Sequence, residues 1–414
     1  MKKATKFLVA IFLVLVMAFP VIGCANDGGT TDTPATETPA DTPAEDPVDE
    51  PADEPVEEPA DDPVEEPADE PADVPETTIG RVGVAMPTQD LQRWNQDGAN
   101  IQEQLIAAGF EVDLQFANND VQQQVNQIET MIAAGVDVLV IASIDGGALG
   151  AVLGQAQDAG IPVIAYDRLI MGTDAVTYYT TFDNYGVGQA QGQFIVDALD
   201  LENQDGPFNI EIFTGDPGDN NARLFYNGAM GIIQPFIDDG TLVVLSGSVT
   251  FEEVATADWS PENAQNRMEA IIASNYADGT VLHAVLCSND STAQGVIQAL
   301  RTNYTLPEGA DWPVITGQDC DIANVPFILE GYQSMSIFKD TRALAAAAVE
   351  MVVAILAGNP APVNDTEQYD NGVIVVPTYL LDIEVVTIDN WVEWLIDTGY
   401  YTWDQLGVSE SDWR

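Results

Sequence analysis

From residue 79 onward, short and continuous apolar runs alternate with helix-like patterns, and no other feature constrains the fold of this chain so strongly. Residues 82–86 lead to helical spacing through 100–108. Residues 112–116 lead to a helix over 121–134 that places Ile128 and Ile132 on one face. Residues 136–144 lead to a helix over 148–159, and then comes 161–166. Gly109, Gly135 and Gly160 stand where these helices stop, as expected of left-handed caps ahead of each new strand. Strands that are apolar throughout are buried on both faces, which predicts a parallel sheet between two helical layers. After a strand-like connector at 176–182 the pattern restarts, with strands at 208–213, 242–246, 281–287 and 314–316. Helices at 189–199, 224–236, 263–274 and 292–300 separate them. Two such sets predict an α/β protein of two similar lobes. An Ala-rich helix at 343–356, the run 373–377 and the segment 389–398 then need places to pack. They imply that the chain crosses between lobes more than once, making a hinge and a cleft that can close.

The 414 residues carry 67 acidic and 12 basic side chains, a formal net charge of -55. No basic patch exists to neutralise phosphates, so nucleic acid is excluded, and an anionic substrate is disfavoured. The acidity itself reads as a solvated, self-repelling surface. At the N-terminus Lys2, Lys3 and Lys6 precede the apolar run 7–19, which is too short for a membrane span and reads as a secretion signal. It ends in Val21-Ile22-Gly23-Cys24, which resembles the lipobox of bacterial lipoproteins and implies acylation of Cys24. The alternative is an ordinary signal peptide with an incidental cysteine. From 25 to 78 there is no Lys or Arg, and from about Pro39 through Pro75 Pro recurs every four residues among acids, a composition that predicts an extended, disordered tether. No other apolar run approaches the length of a membrane span.

The remaining cysteines, Cys287 and Cys320, cannot make a disulfide-rich scaffold, and no CxxC or His-rich cluster supports a metal site. His283 is the only histidine and lies in an apolar run, where it reads as a sequestered strand residue. Ser-His-Asp and Cys-His catalysis are thereby removed. Neither first strand carries a GxGxxG fingerprint or a P-loop, so no nucleotide cofactor is expected.

Ligands of open α/β sheets sit outside the carboxyl ends of the strands. The residues there are Arg93-Trp94, Asp167-Arg168, Asp219-Asn220-Asn221, Asp258-Trp259, Asn289-Asp290, Gln318-Asp319 and Lys339-Asp340. Only nine bases lie beyond residue 78, and four of them fall in or beside these loops. Carboxylates and amides mixed with Arg forks give paired donors and acceptors suited to vicinal hydroxyls. Trp94 and Trp259 offer flat apolar faces to the C–H side of a sugar ring. Blander roles are open at several of these positions. Asp167-Arg168 also reads as a structural salt bridge, Asp290 as a cap of the helix beginning near Ser291, and both tryptophans as core. Asp340 reads as a cap or hinge residue. Arg223 reads as orienting the Asn221 loop or meeting a carboxylate. Trp312, Trp391, Trp394, Trp403 and Trp413 read as packing or surface.

These residues resemble the periplasmic multiple-sugar and xylose-binding proteins of bacterial ABC importers, within the ribose/galactose-binding type I superfamily. The matching words include Val84-Ala85-Met86-Pro87-Thr88, Tyr166-Asp167-Arg168-Leu169-Ile170, Gly218-Asp219-Asn220-Asn221-Ala222, Trp259-Ser260-Pro261-Glu262-Asn263-Ala264, Gly317-Gln318-Asp319 and Ile337-Phe338-Lys339-Asp340-Thr341. The resemblance implies a periplasmic-binding-protein type I fold, with two Rossmann-like lobes of parallel sheet joined by three crossings near 181–182, 337 and 376. The expected division is a signal peptide at 1–23, a lipidated cysteine and tether at 24–78, an N-terminal lobe at 79–181 plus 338–375, and a C-terminal lobe at 182–337 plus 376–414. It implies sugar contacts at Arg93, Trp94, Asp167, Arg168, Asp219, Asn221, Trp259, Asn289, Asp319 and Lys339. It also places Cys287 and Cys320 at the ends of neighbouring strands near the cleft, where a disulfide is one possibility.

The implied function is capture of a monosaccharide, of xylose, glucose, galactose or arabinose type, and its delivery to an ABC permease with its ATPase. The protein would be a monomer outside the cytoplasm, held to membrane lipid through Cys24. A sensor presenting the loaded lobes to a membrane receptor is compatible with the same residues. A glycosidase using Asp167 and Asp319 is disfavoured, because Arg168 and Lys339 beside them do not set either acid up as a proton donor. A repressor of the same two-lobe shape lacks its basic helix-turn-helix ahead of Ile79.

Overall fold

The computed structural model describes residues 79–413. The signal peptide, Cys24, the tether and Arg414 lie outside the described residues.

The first lobe opens with β1 (Arg81–Met86), α1 (Gln92–Ala107), β2 (Glu111–Phe116) and α2 (Val121–Ala133). It continues through β3 (Val138–Ile141), α3 (Gly150–Asp158), β4 (Val163–Tyr166) and β5 (Tyr178–Phe182). All neighbouring strands pair in parallel, in the order β2-β1-β3-β4-β5. Every residue of β3 and β4 is buried. Leu139, Ile141, Val163 and Ala165 pack into one cluster, while Val138, Val140, Ile164 and Tyr166 pack into another. The continuous apolar runs are thus a sheet covered on both faces. Each fully buried large side chain contributes about 1.5–3 kcal/mol. Gly109, Gly135 and Gly160 take φ of 93°, 74° and 73°, directly after the C-cap residues of α1, α2 and α3.

The second lobe repeats the plan. It runs through α4 (Asn184–Ala198), β6 (Phe208–Phe213), α5 (Asn220–Asp238), β7 (Leu242–Val243), α6 (Phe251–Val254) and α7 (Pro261–Ile271). Then come β8 (Ala284–Cys287), α8 (Asp290–Asn303), β9 (Val314–Ile315), α9 (Val325–Leu329) and β10 (Ser336–Phe338). The parallel order β7-β6-β8-β9 matches the first four strands of the other lobe, and a parallel bridge from Gln318 to Ile337 adds β10. In both sheets the strand order reverses beside the first strand, which opens a crevice at the strand carboxyl ends. Acids do structural work here: Asp120, Asp183, Asp219 and Asp340 cap α2, α4, α5 and the helix that follows β10. A cap of this kind is worth about 1 kcal/mol.

That helix, α10 (Thr341–Leu356), returns to pack in the first lobe, where Leu344, Ala348 and Met351 join its core. The chain then forms β11 (Thr378–Leu381), parallel to β5 at the edge of the first sheet. Only afterwards does it reach β12 (Glu384–Val386), antiparallel to β10. The third crossing therefore lies at 382–383 and not near Val376. The boundary drawn between 375 and 376 moves accordingly, with Tyr369 and Val376 buried in the first lobe. The apolar run 373–377 is a loop, with Val373 and Val375 exposed, and the strand is the more polar Thr378-Tyr379-Leu380-Leu381 beside it.

The segment 389–398 ends in a π-helical turn at Val392–Asp397 that packs on the second lobe, where Trp391 is buried against Trp403 and Trp413. His283 is a partly buried residue preceding β8. Its Nδ1 accepts a hydrogen bond from the Asn209 N–H at 2.8 Å, and burial lowers its pKa. Among the described residues no helix is long and apolar enough to cross a membrane.

Candidate functional site

All ten residues singled out in the folded part line one cavity between the lobes, which encloses about 400 Å³ of space including its mouth. Arg93 and Trp94 stand in the first turn of α1, after β1, and Asp167 and Arg168 follow β4. From the second lobe come Asp219 and Asn221 at the start of α5, Trp259 ahead of α7, Asn289 at the cap of α8, and Asp319 after β9. Lys339 lies in the second crossing, immediately after β10.

Arg93 is the hub. Its Nε donates to Asp97 Oδ2 at 2.8 Å, one Nη to Asp167 Oδ1 at 2.6 Å and the other to Asp319 Oδ1 at 2.9 Å. The residue is 5 % exposed. Burial opposes its charge, but Asp167, Asp97 and Asp319 outweigh that and raise its pKa well above the ordinary value. Burial likewise works against the charge on Asp319, yet Lys339 Nζ at 2.9 Å and Arg93 hold its pKa below the usual range. Asp97 is fully buried, and its pKa is pushed up to about 6 by that burial against the pull of Arg93. It also accepts the hydroxyl proton of Tyr166.

Arg168 faces Asp219 across the cleft, with Nε 2.9 Å from Oδ2 but not aligned as a hydrogen bond. Its Nη1 donates to the Ser143 carbonyl at 3.0 Å, and its guanidinium lies 4.8 Å from the Trp94 ring centroid. Asp219 also accepts from the Trp259 indole N–H at 3.2 Å and from the Asn221 backbone, and burial raises its pKa. Asn221 Nδ2 donates to the Asp167 carbonyl at 2.7 Å, a further tie between the lobes. The Tyr179 and Thr181 hydroxyls donate to that same carbonyl, at 2.6 and 2.9 Å.

The backbone is bent to present these groups. Asp167, Trp259 and Asp319 have φ of 58°, 55° and 96°, a region that side-chain-bearing residues rarely adopt. Such conformations persist where surrounding structure over-determines them, and they concentrate at ligand clamps. Gly215 makes the room: a Cβ there would stand 2.0 Å from the Trp259 ring, so only glycine admits the indole.

Five further residues line the cavity: Leu91, Phe225, Ser291, Gln318 and Asp321. Phe225 meets Trp259 edge-on at 6.1 Å and had no signal in the sequence beyond helical packing. The acid at Asp97 had one, since it stands four residues after Arg93 on the same helix. The cap of α8 is Asn289, whose side chain accepts from the Thr292 N–H at 3.0 Å. Asp290 is therefore not the cap. It is fully buried and accepts from Gln333 Nε2 at 2.7 Å, Ser336 Oγ at 2.9 Å and the Asp321 N–H at 2.8 Å. Asp340 caps α10, and Arg223 pairs with Glu252 at 3.2 Å on the surface. Cys287 and Cys320 are buried and free, so the disulfide held open between them is not present.

Two parallel-sheet lobes, joined by three crossings around a buried polar cavity, define a cleft-binding protein of the α/β type. The chain belongs to the periplasmic binding protein domain family, whose model matches residues 82–360. It is 65 % identical to an ABC transporter solute-binding protein from Clostridium phytofermentans solved with bound β-D-glucose, with a TM-score of 0.77 over 79 % of this chain and 99 % of that one. It is 50 % identical to the multiple sugar-binding periplasmic protein SbpA of Azospirillum brasilense, over 78 % of this chain and 89 % of the relative. It is 35 % identical to the D-xylose-binding periplasmic protein of Escherichia coli strain K12, over 79 % and 92 %.

Proposed function

We propose that this protein captures a single monosaccharide between its lobes outside the cytoplasm and delivers it to an ABC permease, without chemical turnover. The observation that carries the reading is the Arg93 hub facing the Arg168–Asp219 pair across a cavity walled by Trp94 and Trp259. Buried charges that are already paired keep outward-facing lone pairs and N–H groups for hydroxyls, and they reject apolar molecules that would leave those groups unmet.

The relatives support a hexose or pentose: one is named for several sugars, one for D-xylose, and one was solved with β-D-glucose. Catalysis by the acids of the cleft is disfavoured by their pairing. Asp167 and Asp319 both accept from Arg93, an arrangement for holding charge rather than for passing a proton. Anchoring through acylated Cys24 and action as a monomer belong to the same proposal and rest on the sequence words alone.

A thermal-shift screen of D-glucose, D-galactose, D-xylose and L-arabinose tests the reading. At least one sugar is expected to raise the melting temperature in a saturable way. A panel in which none does so, while the protein melts cooperatively, would overturn it.

A further inference from the structure

The cavity holds more acid than its bases can pair. Arg93, Arg168 and Lys339 are its three cations; four buried carboxylates, Asp167, Asp219, Asp319 and Asp321, line it with them, and Asp97 and Asp290 are buried behind the lining. Asp97, Asp167 and Asp319 share Arg93, Asp319 also meets Lys339, and Asp219 meets Arg168. Asp290 has no cation but receives three hydrogen bonds. Asp321 differs from all of them. Its residue lines the cavity at 9 % exposure; its Oδ1 is shut away without a hydrogen-bond partner, and its Oδ2, also unpaired, is the oxygen left to meet a ligand. Its backbone is fixed by the Asp290 carboxylate and by the start of α9, whose Val325 N–H donates to the Asp321 carbonyl. The side chain is held in place with nothing to bind.

A buried carboxylate in that position is costly if ionised, because it has neither an ion pair of its own nor donors. The groups around it sharpen this. Asp290 on α8 and Asp319 after β9 repel a charge on it and outweigh the attraction of Arg93 on α1 and Lys339 after β10, which are engaged by other acids. The neighbouring Cys320 thiol and Tyr401 hydroxyl remain uncharged in the ordinary pH range, since burial raises the pKa of both. A neutral carboxylic acid, by contrast, has a proton to give, and no protein acceptor takes it. Beside it Gln318 Oε1 is likewise buried and unpartnered, while its Nε2 is spent on the Ser288 carbonyl at 2.8 Å.

We propose that Asp321 reads the ligand as a neutral carboxylic acid, donating its proton to an oxygen of the bound sugar. The proposal deepens the sugar-binding reading of this cavity and rests on it. It assigns a ligand-reading role to a residue outside the ion-pair set, and it fixes the direction of the hydrogen bond: the ligand must present an acceptor at that wall.

The test compares Asp321→Asn with Asp321→Ala, by calorimetric titration with D-glucose and with whichever sugar of the screen binds tightest. Asn keeps the shape and supplies a neutral N–H donor, whereas Ala removes the donor. The Ala variant is expected to lose about ten- to a hundredfold in affinity. The Asn variant is expected to recover most of that loss, with the recovery read against melting curves of both variants. Equal losses in two folded variants would show an ionised acceptor or a merely structural acid and would overturn the proposal. If the Asn variant does not fold, the unsubstituted protein still decides. The infrared band of a protonated carboxyl is expected to shift when glucose is added, and a band that does not move would overturn it. Failure of the unsubstituted protein to bind any sugar would instead overturn the reading of the site, which keeps the two outcomes apart.

Discussion

The two walls of the cavity are built on opposite principles. On the first-lobe side Arg93 spends three of its donors on three carboxylates, and Asp167 is held by Arg93, Asn221, Tyr179 and Thr181 acting on its side chain and carbonyl. On the second-lobe side, between β9 and α9, Gln318 Oε1 and Asp321 Oδ1 are buried with no partner. The carboxylates of one wall are paired before a ligand arrives, and the other wall keeps an acid with no ion pair. The difference teaches how a rigid polar cleft can be selective. The paired wall fixes geometry at no further cost in reorganisation, and the unpaired Asp321 carboxyl is left for the ligand to meet.

Removing the hub should break this comparison most severely. Arg93→Ala would leave Asp97 and Asp167 without a cation and Asp319 with Lys339 alone. A loss of about 3–5 kcal/mol in folding stability is expected, as for any buried ion pair stripped of one partner. Denaturant unfolding measures it, and a loss under 1 kcal/mol would mean that the wall is not held by its charges.

Asp97→Asn sharpens the picture through pH. Folding raises the pKa of Asp97 from 3.8 to about 6, chiefly by burial. The folded state therefore holds this proton more tightly than the unfolded chain. The group's contribution favours folding while it is protonated and is lost as pH rises from about 4 to about 6. The lost stability is on the order of 3 kcal/mol. The Asn variant should lack that part of the decline, and superimposable stability profiles for the two proteins would refute the assignment.

The smallest effect is expected at the contact joining the walls from behind. The Tyr401 hydroxyl accepts from Gln92 Nε2 at 2.7 Å and donates to the Cys320 carbonyl at 2.9 Å, while Gln92 Oε1 accepts from the Ile322 N–H. Tyr401→Phe should cost about 0.5–1.5 kcal/mol of stability. Because Tyr401 does not line the cavity, its effect on affinity should be equal for all sugars. A change in sugar ranking would place Tyr401 among the selecting groups.

Much of this was legible in the residues themselves. Fully apolar strands between capped helices specified the parallel sheets, and the scarcity of bases made Arg93, Arg168 and Lys339 conspicuous at strand ends. The structure brings those ten residues to one cavity. What the residues did not disclose depends on tertiary placement. The run 373–377 is more apolar than 378–381, yet the latter pairs with β5, because register against Tyr179–Phe182 outweighs composition. Positive φ at Asp167, Trp259 and Asp319 carries no signature in residue type. Asp321 looks like any other acid in a chain of 67 acidic residues, and only its lack of a partner sets it apart.

The central claim, that a monosaccharide binds between the lobes on the charged fork, is tested most directly by calorimetric titration of D-glucose into the protein and into Asp167→Ala. The account predicts one saturable site per chain in the unsubstituted protein and no measurable binding in a variant that still melts cooperatively. Undiminished affinity in that variant would contradict it.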